Sequence, residues 1–282
     1  MKKIVKTILL GCLVILPLFA LSACSSRSHF ATQKDQWQTY TKEKKIKIGF
    51  DATFVPMGYE EKDGSYVGFD IDLATAVFKL YGIDVEWQAI DWDMNETELK
   101  NGTIDLIWNG YSVTDERKKE LAFTEPYMVN QQVVVTKKSS GISSIAMMAG
   151  KSLGAQAGSS GYDAFESQPD LLKDKVKDKK AVQYSTFTQA LIDLQAGRID
   201  GLLIDRVYAN YYLEQEGKLD QYNIMPAGYE AESFAVGARK SDKTLVKKIN
   251  QAFKELYQAG QFQKISKKWF GEDVATKQVK NK

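Results

Sequence analysis

Two stretches of the chain align without gaps and decide its fold: Leu99-Lys-Asn-Gly-Thr-Ile-Asp-Leu-Ile-Trp-Asn-Gly110 and Leu194-Gln-Ala-Gly-Arg-Ile-Asp-Gly-Leu-Leu-Ile-Asp205. In each copy a predicted helix ends at a glycine, Gly102 or Gly197, the residue type that favours a left-handed helix C-cap. An Ile-Asp pair then opens an apolar run typical of a buried strand. The repeat predicts two lobes of one design. Chance similarity is the alternative, because glycine caps are common.

The segments that begin each lobe support this prediction. Ile48-Gly-Phe-Asp51 corresponds to Leu153-Gly-Ala-Gln156, and the sequence around the first segment alternates like a strand. Downstream, the segment from Gly68 to Leu80 carries apolar residues at helical spacing, with Asp70 in a position to cap the helix. The succession of strand, helix and strand indicates an α/β fold in which each lobe is an open sheet flanked by helices.

The polar ends of the predicted strands indicate where a ligand binds. In open α/β sheets, ligands gather where the strands end at their carboxyl edges. In this chain those ends are residues 51–54, 109–112 and 156–160, together with Asp205. Two such edges that face each other form a cleft between lobes, the commonest place for a small-molecule site.

The composition argues against several classes of function. His29 is the only histidine and the two cysteines are Cys12 and Cys24, so neither a zinc site nor a Ser-His-Asp triad is expected in the folded body. Loss of residues 1–23 removes three lysines and no acidic residue, which takes the formal net charge from +2 to −1. A surface so close to neutral argues against nucleic acid as a partner. No metal or other cofactor is expected, and we expect a monomer.

The N-terminal segment predicts export and lipidation. Residues 1–23 have a basic start, a continuous apolar stretch and small residues before Cys24, as expected of a signal peptide. Leu21-Ser-Ala-Cys24 resembles a bacterial lipobox, in which the mature chain begins at a cysteine that carries diacylglycerol and palmitate. An ordinary secretory signal with an incidental cysteine, or a retained anchor helix, is the alternative. The preferred interpretation holds the protein by lipid on the extracytoplasmic face of the cell membrane.

Three features at the strand ends suit a zwitterionic ligand. Arg117 follows Thr114, a predicted helix cap, and its guanidinium can present a fork to a carboxylate with Ser112 beside it. Asp205 ends its strand, and its natural partner is an ammonium. The turn Gly154-Ala-Gln-Ala-Gly-Ser-Ser-Gly161 lets backbone N–H groups approach an anion, but it lacks the Gly-Lys-Ser/Thr ending of a nucleotide P-loop. Taken singly, the arginine could equally be a solvated surface residue and the aspartate a helix cap.

Long, ordered motifs give the chain a resemblance to a known family. They are Gly68-Phe-Asp-Ile-Asp-Leu-Ala-Thr-Ala-Val77, the segment from Leu99 to Tyr127, and the C-terminal Tyr257-Gln-Ala-Gly-Gln-Phe with Lys268-Trp-Phe-Gly271. Across nearly all of its mature length the chain resembles the polar amino-acid binding proteins of ABC importers, solute-binding protein family 3. The resemblance implies the periplasmic-binding-protein type II fold, with two lobes and the ligand cleft between them.

The resemblance also implies domain boundaries. Residues 24–44 are polar and lack apolar periodicity, so they predict a lipidated N-terminus and flexible tether, and the charged residues 272–282 predict a disordered tail. Between them lie the lobes and two hinges: residues 45–130 with 232–271 as lobe 1, residues 131–231 as lobe 2, and hinges near 127–131 and 230–234.

Roles for the ends of the ligand follow from the same resemblance. Arg117 matches the arginine that grips the ligand α-carboxylate. Asp205 matches the aspartate that takes the α-ammonium. Positions that match Ser112, Ser159 and Ser160 assist the arginine.

The remaining positions of the resemblance concern the cleft wall and the ligand side chain. The backbone around Asn109 and Gly110 contributes to binding. Phe54 and Trp92 match aromatic positions that flank the ligand side chain. Glutamine binders of the family often carry lysine at the position of Gln156.

A charge argument narrows the ligand. The carboxylate and ammonium of an amino acid neutralise Arg117 and Asp205, which leaves Asp51 without a partner when the cleft closes. An uncompensated buried carboxylate is costly, so the ligand is expected to bring a cation or an amide N–H to Asp51. Basic amino acids such as arginine, lysine or histidine come first, glutamine second, and glutamate or aspartate last. A lysine or arginine from elsewhere in the chain that neutralises Asp51 is the alternative.

The sequence therefore predicts a binding protein without covalent chemistry. It captures a polar L-amino acid, closes over it and delivers it to the permease subunits of an ABC importer in the membrane. A dehydratase-like enzyme with the same fold is one alternative, in which Asp51 would be the acid or base. An extracellular amino-acid sensor or adhesin is another.

Overall fold

The computed structural model describes residues 34–280. The expected signal peptide (1–23) and the lipidation site Cys24 lie outside the described residues. Within residues 34–280, no helix has both the length and the apolar character needed to cross a bilayer. The same residues contain no group of three or more His, Cys, Asp and Glu side chains that could hold a metal ion.

Helices and strands alternate along most of the described chain. The strands are β1 (Lys45–Phe50), β2 (Thr53–Phe54), β3 (Gly58–Glu60), β4 (Tyr66–Val67), β5 (Asp84–Ala89), β6 (Leu106–Ile107), β7 (Leu121–Phe123), β8 (Met128–Asn130), β9 (Gln132–Lys137), β10 (Leu153–Gln156), β11 (Ala181–Tyr184), β12 (Gly201–Asp205), β13 (Tyr222–Pro226), β14 (Glu232–Phe234) and β15 (Gly237–Arg239). The helices are α1 (Trp37–Glu43), α2 (Phe69–Lys79), α3 (Asn95–Asn101), α4 (Asp115–Glu120), α5 (Ser160–Ser167), α6 (Phe187–Ala196), α7 (Arg206–Gln215), α8 (Lys243–Gln258), α9 (Gln261–Phe270) and α10 (Lys277–Lys280).

Two five-stranded sheets share one plan. The first has the order β5-β1-β6-β15-β7 and the second the order β11-β10-β12-β9-β13. In each sheet the second strand of the order runs parallel to both of its neighbours, and the fourth runs antiparallel to both of its neighbours. The predicted α/β fold with two lobes is confirmed.

The sequence repeat occupies equivalent places in the two sheets. Helix α3 ends at Gly102 (φ +76°) and helix α6 at Gly197 (φ +73°), both left-handed as predicted. The aspartate of each Ile-Asp pair then accepts a hydrogen bond from a backbone N–H near the start of the neighbouring strand. Asp105 Oδ2 accepts from Lys47 at 3.0 Å, and Asp200 Oδ2 accepts from Ser152 at 2.8 Å. The repeat is therefore a matter of structure, not of chance.

The chain passes between the sheets along two paired strands. Strand β8 links β7 of the first sheet to β9 of the second, and β14 links β13 to β15 on the way back. They pair with each other in antiparallel register, with Ser233 opposite Val129. Both segments lie where the hinges are predicted.

Helices α2 and α8 cover the first sheet because their apolar residues recur at helical spacing. Phe69, Leu73 and Val77 of α2 are fully buried, as the sequence predicts, whereas Leu80 is 46% exposed beyond the end of the helix. The predicted cap is wrong: Gly68 occupies the N-cap position, and Asp70 lies inside the helix and fully buried.

The predicted tether and tail are both partly ordered. Instead of a flexible segment up to residue 44, helix α1 lies against the first sheet, with Tyr40 buried and the Trp37 ring edge-on to Tyr81 at 5.0 Å. Instead of disorder from residue 272, the chain as far as residue 280 packs on the first lobe and ends in α10, where Val279 is buried. Sparse aromatic and aliphatic residues within polar sequence are enough to dock both segments.

Candidate ligand-binding site

A small enclosed cavity lies where the carboxyl ends of the strands of the two sheets meet. Its free space, including the part open to solvent, is about 230 Å³. Nine of the eleven predicted ligand-binding residues line it: Phe54, Trp92, Gly110, Ser112, Arg117, Gln156, Ser159, Ser160 and Asp205. The other two, Asp51 and Asn109, are also buried but are not among the lining residues.

Arg117 is held rigidly in the cavity wall. The Thr114 hydroxyl accepts from its backbone N–H at 3.1 Å, so the predicted cap is confirmed. Its guanidinium donates to the backbone carbonyls of Ser112 at 2.9 Å and Gly158 at 3.0 Å. The guanidinium carbon Cζ lies 4.3 Å from the centroid of the Tyr111 ring. The remaining guanidinium N–H groups can bind a carboxylate without reorganisation.

Gly158 brings the second lobe against the first. Its φ is +69°, and a Cβ atom there would lie 2.5 Å from the Cα of Asp93. Only glycine fits a left-handed conformation at so close an approach. The cleft is therefore closed in this structure.

Two of the three cleft serines, Ser160 and Ser112, form a directed chain of hydrogen bonds that ends at Glu232, while Ser159 donates to the Gln156 carbonyl at 2.8 Å. Ser159 caps helix α5, where its Oγ accepts from the Tyr162 N–H at 3.1 Å. Ser160 Oγ donates to Ser112 Oγ at 3.1 Å, and Ser112 Oγ donates to Glu232 Oε2 at 2.8 Å. In this arrangement the Ser112 proton is not available to a ligand carboxylate.

Asp205 is a buried carboxyl group with only neutral donors. Its Oδ1 accepts from Asn130 Nδ2 at 2.5 Å and from Gln132 Nε2 at 2.9 Å. Burial raises the pKa of Asp205 to about 8, with the charge of Glu232 as the second cause. A ligand ammonium in contact with this group would favour its ionised form.

Asp51 and Gln156 meet across the closed cleft. Gln156 Nε2 donates to Asp51 Oδ2 at 2.8 Å and to the Ser185 carbonyl at 2.9 Å, while Thr53 donates to Asp51 Oδ1 through both its N–H and its hydroxyl. The expectation that Asp51 lacks a partner is therefore wrong, since both oxygens accept hydrogen bonds. All of these donors are neutral, and burial raises the pKa of Asp51.

Aromatic rings form one side of the cavity. Phe54 packs against Phe187 and Tyr208 of the second lobe at centroid distances of 5.9 and 5.5 Å. Trp92 meets Tyr111 edge-on at 5.8 Å. The rings contact both lobes and exclude water from the space between them.

Asn109 and Gly110 form a turn that is fixed from behind. Asn109 Oδ1 accepts the Asp51 N–H at 3.1 Å, and the Gly110 N–H donates to Asp70 Oδ2 at 2.7 Å. The Gly110 N–H already has an acceptor in Asp70 and is not free to bind a ligand. Gly110 has φ +56°, and a Cβ there would lie 2.8 Å from the Phe54 ring, so a side chain would intrude on the cavity.

The buried Asp70 predicts a pH-dependent stability. Burial raises its pKa to about 7, although the Gly110 N–H, the Tyr127 hydroxyl and the Trp108 indole partly oppose this. Because the folded-state pKa lies above the unfolded value of about 4, the stabilisation is complete below pH 4 and is lost as the pH rises through about 7. We expect wild type to lose about 4 kcal/mol relative to Asp70→Asn between pH 4 and pH 8.

Urea unfolding of both proteins across this pH range measures the difference, and a constant offset between them does not affect the result. A difference in the free energy of unfolding that does not vary with pH would contradict the raised pKa of Asp70 in the folded protein.

Several residues of the site are not found from the sequence. Glu232, Asn130 and Gln132 lie on or beside the crossing strands, and Tyr111 lies beneath Arg117. Glu232 and Asn130 lie within the predicted hinge segments, and Gln132 directly follows one of them; that position is the available signal for these three residues. Nothing in the sequence pairs them with Ser112 or Asp205.

Two lobes that close over a buried arginine and a buried aspartate define a solute-binding protein. Residues 46–272 match the bacterial extracellular solute-binding proteins, family 3, and the chain belongs to this family. Family 3 consists of extracellular binding proteins, so the expectations that the chain is not an enzyme and that it acts outside the cytoplasm are confirmed.

Two named relatives align with nearly the whole chain. The arginine-binding extracellular protein ArtP of Bacillus subtilis (strain 168) is 31% identical over 270 residues, which are 96% of this chain and 98% of ArtP. The L-cystine-binding protein TcyA of the same organism is 30% identical over 277 residues, 96% of this chain and 99% of TcyA.

A solved structure agrees with the fold over most of the chain. An ABC uptake transporter substrate-binding protein from Streptococcus pneumoniae with bound histidine is 66% identical, with a TM-score of 0.86 over 87% of this chain and 100% of that one. A polar amino acid ABC uptake transporter substrate-binding protein from Streptococcus thermophilus is 84% identical, with a TM-score of 0.58 over 90% of this chain and 96% of that one.

Proposed function

We propose that this protein captures a basic L-amino acid, with arginine, lysine and histidine preferred over glutamine, and delivers it to an ABC permease. The zwitterionic part of the ligand lies between Arg117 and Asp205. Its carboxylate takes the free guanidinium N–H groups, and its ammonium takes Asp205. The opposite charges of these two groups, on separate lobes, set the orientation of the ligand.

The amide orientation of Gln156 carries the preference for the side chain. Its Nε2 donates to two acceptors, the Asp51 carboxylate and the Ser185 carbonyl, and so uses both of its N–H groups. Only the Oε1 acceptor remains for the cavity. An acceptor backed by a buried carboxylate favours a guanidinium, ammonium, imidazolium or amide N–H and disfavours a ligand carboxylate.

The relatives support this preference. ArtP is named for arginine, and the 66% identical streptococcal protein holds histidine in its structure. TcyA is named for L-cystine, a neutral ligand, which is why cystine belongs in the test panel.

We further propose that the ligand closes the two lobes and that the permease recognises the closed form. The 84% identical protein has a lower TM-score than the 66% identical one. At such identity the fold is the same, so the placement of parts of the chain differs. This supports two arrangements of the lobes, joined by hinges at the paired strands β8 and β14.

The proposed location follows from the N-terminal sequence. Lipid on Cys24 would hold the mature protein at the outer face of the membrane beside its permease. Helix α1 begins at Trp37, so a short segment separates the proposed lipid from lobe 1. Mass spectrometry of the membrane-extracted protein tests the modification.

Titration calorimetry tests the ligand. The chain that begins after Cys24, freed of bound ligand by unfolding and refolding, is titrated with arginine, lysine, histidine, glutamine, glutamate and cystine. We expect micromolar or tighter binding of a basic amino acid. Silence across the panel would overturn the function, and tight binding of glutamate or cystine alone would overturn the preference.

Asp51→Asn tests the side-chain preference. Loss of the negative charge behind Gln156 is expected to weaken arginine binding at least tenfold and glutamine binding by less than threefold, since only arginine brings a charge. The matched control is Asp63→Asn, an exposed aspartate in the β3–β4 turn that should change neither affinity. An unchanged ratio of the two affinities in Asp51→Asn would contradict the charge argument.

A further inference from the structure

Glu232 lies on β14, behind the part of the cavity wall formed by Ser112 and Asp205. Its Oε2 accepts from Ser112 Oγ at 2.8 Å, from Gln132 Nε2 at 3.0 Å and from Asn130 Nδ2 at 3.3 Å. Glu232 lines a surface groove on the outer side and is not among the residues that line the cavity. It can therefore act on a ligand only through the side chains that it holds.

The same two amides also hold Asp205. Asn130 Nδ2 and Gln132 Nε2 each donate both to Asp205 Oδ1 and to Glu232 Oε2. Two carboxyl oxygens that share their donors are close neighbours. Among residues 34–280, no lysine or arginine forms a salt bridge within 4.0 Å of either group.

The charges around the pair favour a bound proton. Besides burial, the charge of Glu232 raises the pKa of Asp205, while the Gln132 and Asn130 amides and Arg117 on α4 lower it. Asp163 on α5 is a further acid near these residues, 3.8 Å from the Arg117 guanidinium, and Glu96 and Glu116 also act on it. Burial raises its pKa, Arg117 lowers it, and Glu232 is among the smaller raising causes. Burial and the charge of Glu232 therefore both favour a proton on Asp205 when no cation lies beside it.

Glu232 also sets the direction of the serine hydrogen bonds. Each hydroxyl has one proton, and the Ser112 proton points at Glu232 while the Ser160 proton points at Ser112. The Ser112 oxygen can therefore offer only a lone pair to the cavity. A lone pair near the Asp205 carboxyl group suits an ammonium and not a carboxylate.

We propose that Glu232 is a positioning residue of the ammonium subsite: together with burial it favours a proton on Asp205 while the cleft is empty, and Asp205 releases that proton when the α-ammonium of an amino acid binds. This inference rests on the proposed function. The neutral Asp205 carboxyl becomes a carboxylate beside the ligand ammonium, and one proton passes to solvent. No covalent bond of the ligand changes.

The test measures protons as well as affinity, with L-arginine as the probe because its guanidinium stays charged throughout. We expect the association constant of wild type to rise about tenfold from pH 6 to pH 7. Calorimetry at pH 7 in buffers of different ionisation enthalpy should report the release of close to one proton. In Glu232→Gln the like charge is gone while burial remains, so the rise with pH and the proton release should both be smaller than in wild type.

Glu230→Gln is the matched control, because it makes the same charge change at an exposed residue of the same segment. It should keep the wild-type slope and proton count. A purely structural role for Glu232 would alter the affinity at every pH equally, so an unchanged slope and proton count in Glu232→Gln would overturn the inference.

The same experiment distinguishes a failure of the proposed function from a failure of this inference. If arginine fails to bind wild type and L-glutamine binds, the ligand preference fails while the proton measurement proceeds with glutamine. If no amino acid of the calorimetry panel binds wild type, the proposed function and this inference are both overturned.

Discussion

Replacement of Arg117 by alanine is expected to weaken binding of every amino-acid ligand by about a hundredfold or more. The guanidinium is buried, lies over the Tyr111 ring and is oriented by the carbonyls of Ser112 and Gly158. Removal would leave the ligand carboxylate buried without a counter-charge, and loss of one partner of such a pair costs about 2 to 5 kcal/mol. Calorimetry with the preferred amino acid measures the loss.

Two variants separate charge, geometry and folding. Arg117→Lys keeps the positive charge without the planar fork and is expected to fall between wild type and Arg117→Ala. Lys118→Ala, which removes the exposed charge of the next residue, should bind as wild type does. Thermal melting of each variant checks that the fold is retained. Binding by Arg117→Ala within threefold of wild type would remove Arg117 from the site.

Arg239→Met is expected to lower the free energy of unfolding by about 3 to 5 kcal/mol and the melting temperature by about 10 °C. Arg239 is buried at the end of β15, where it bonds Asp242 at 2.9 Å and Asp105 at 3.2 Å. It also donates to the Tyr40 hydroxyl of α1 at 2.6 Å. Its loss would leave two buried carboxylates uncompensated and would loosen the N-terminal helix.

Arg198→Ala is the matched control for this prediction. Arg198 also bonds an aspartate, Asp193, at 2.6 Å, but its side chain is 59% exposed. Solvent screens such a pair, so we expect no measurable change in the melting temperature. Equal destabilisation by the two substitutions would mean that burial of Arg239 does not matter.

The two-lobed plan could be predicted because its signals are local. Glycine caps, apolar runs and the Ile-Asp pair repeat within a few residues of each other, and the structure uses Gly102 and Gly197 alike. The ends of the strands followed from that plan. Most predicted site residues therefore line one cavity.

The errors arose where a single residue is read without its neighbours. Asp70 looks like a helix cap from its position in the sequence, but its carboxyl group fixes Gly110 across the lobe. Residues 37–43 look like tether because their polar residues outnumber their apolar ones, yet Tyr40 finds a buried partner in Asp105. The composition of a segment does not show which distant residue its side chains will contact.

By itself, then, the sequence determined the α/β class, the duplicated lobes and the residue types at the strand ends, since periodicity and caps are properties of neighbouring residues. Only the tertiary structure decided which of those residues meet. Gln156 bonds Asp51 from 105 residues away, and Ser112 bonds Glu232 from 120 residues away. The first contact exists because the two sheets close on each other, and the second exists because the returning strand β14 lies beside Ser112. No local pattern in the sequence encodes either approach.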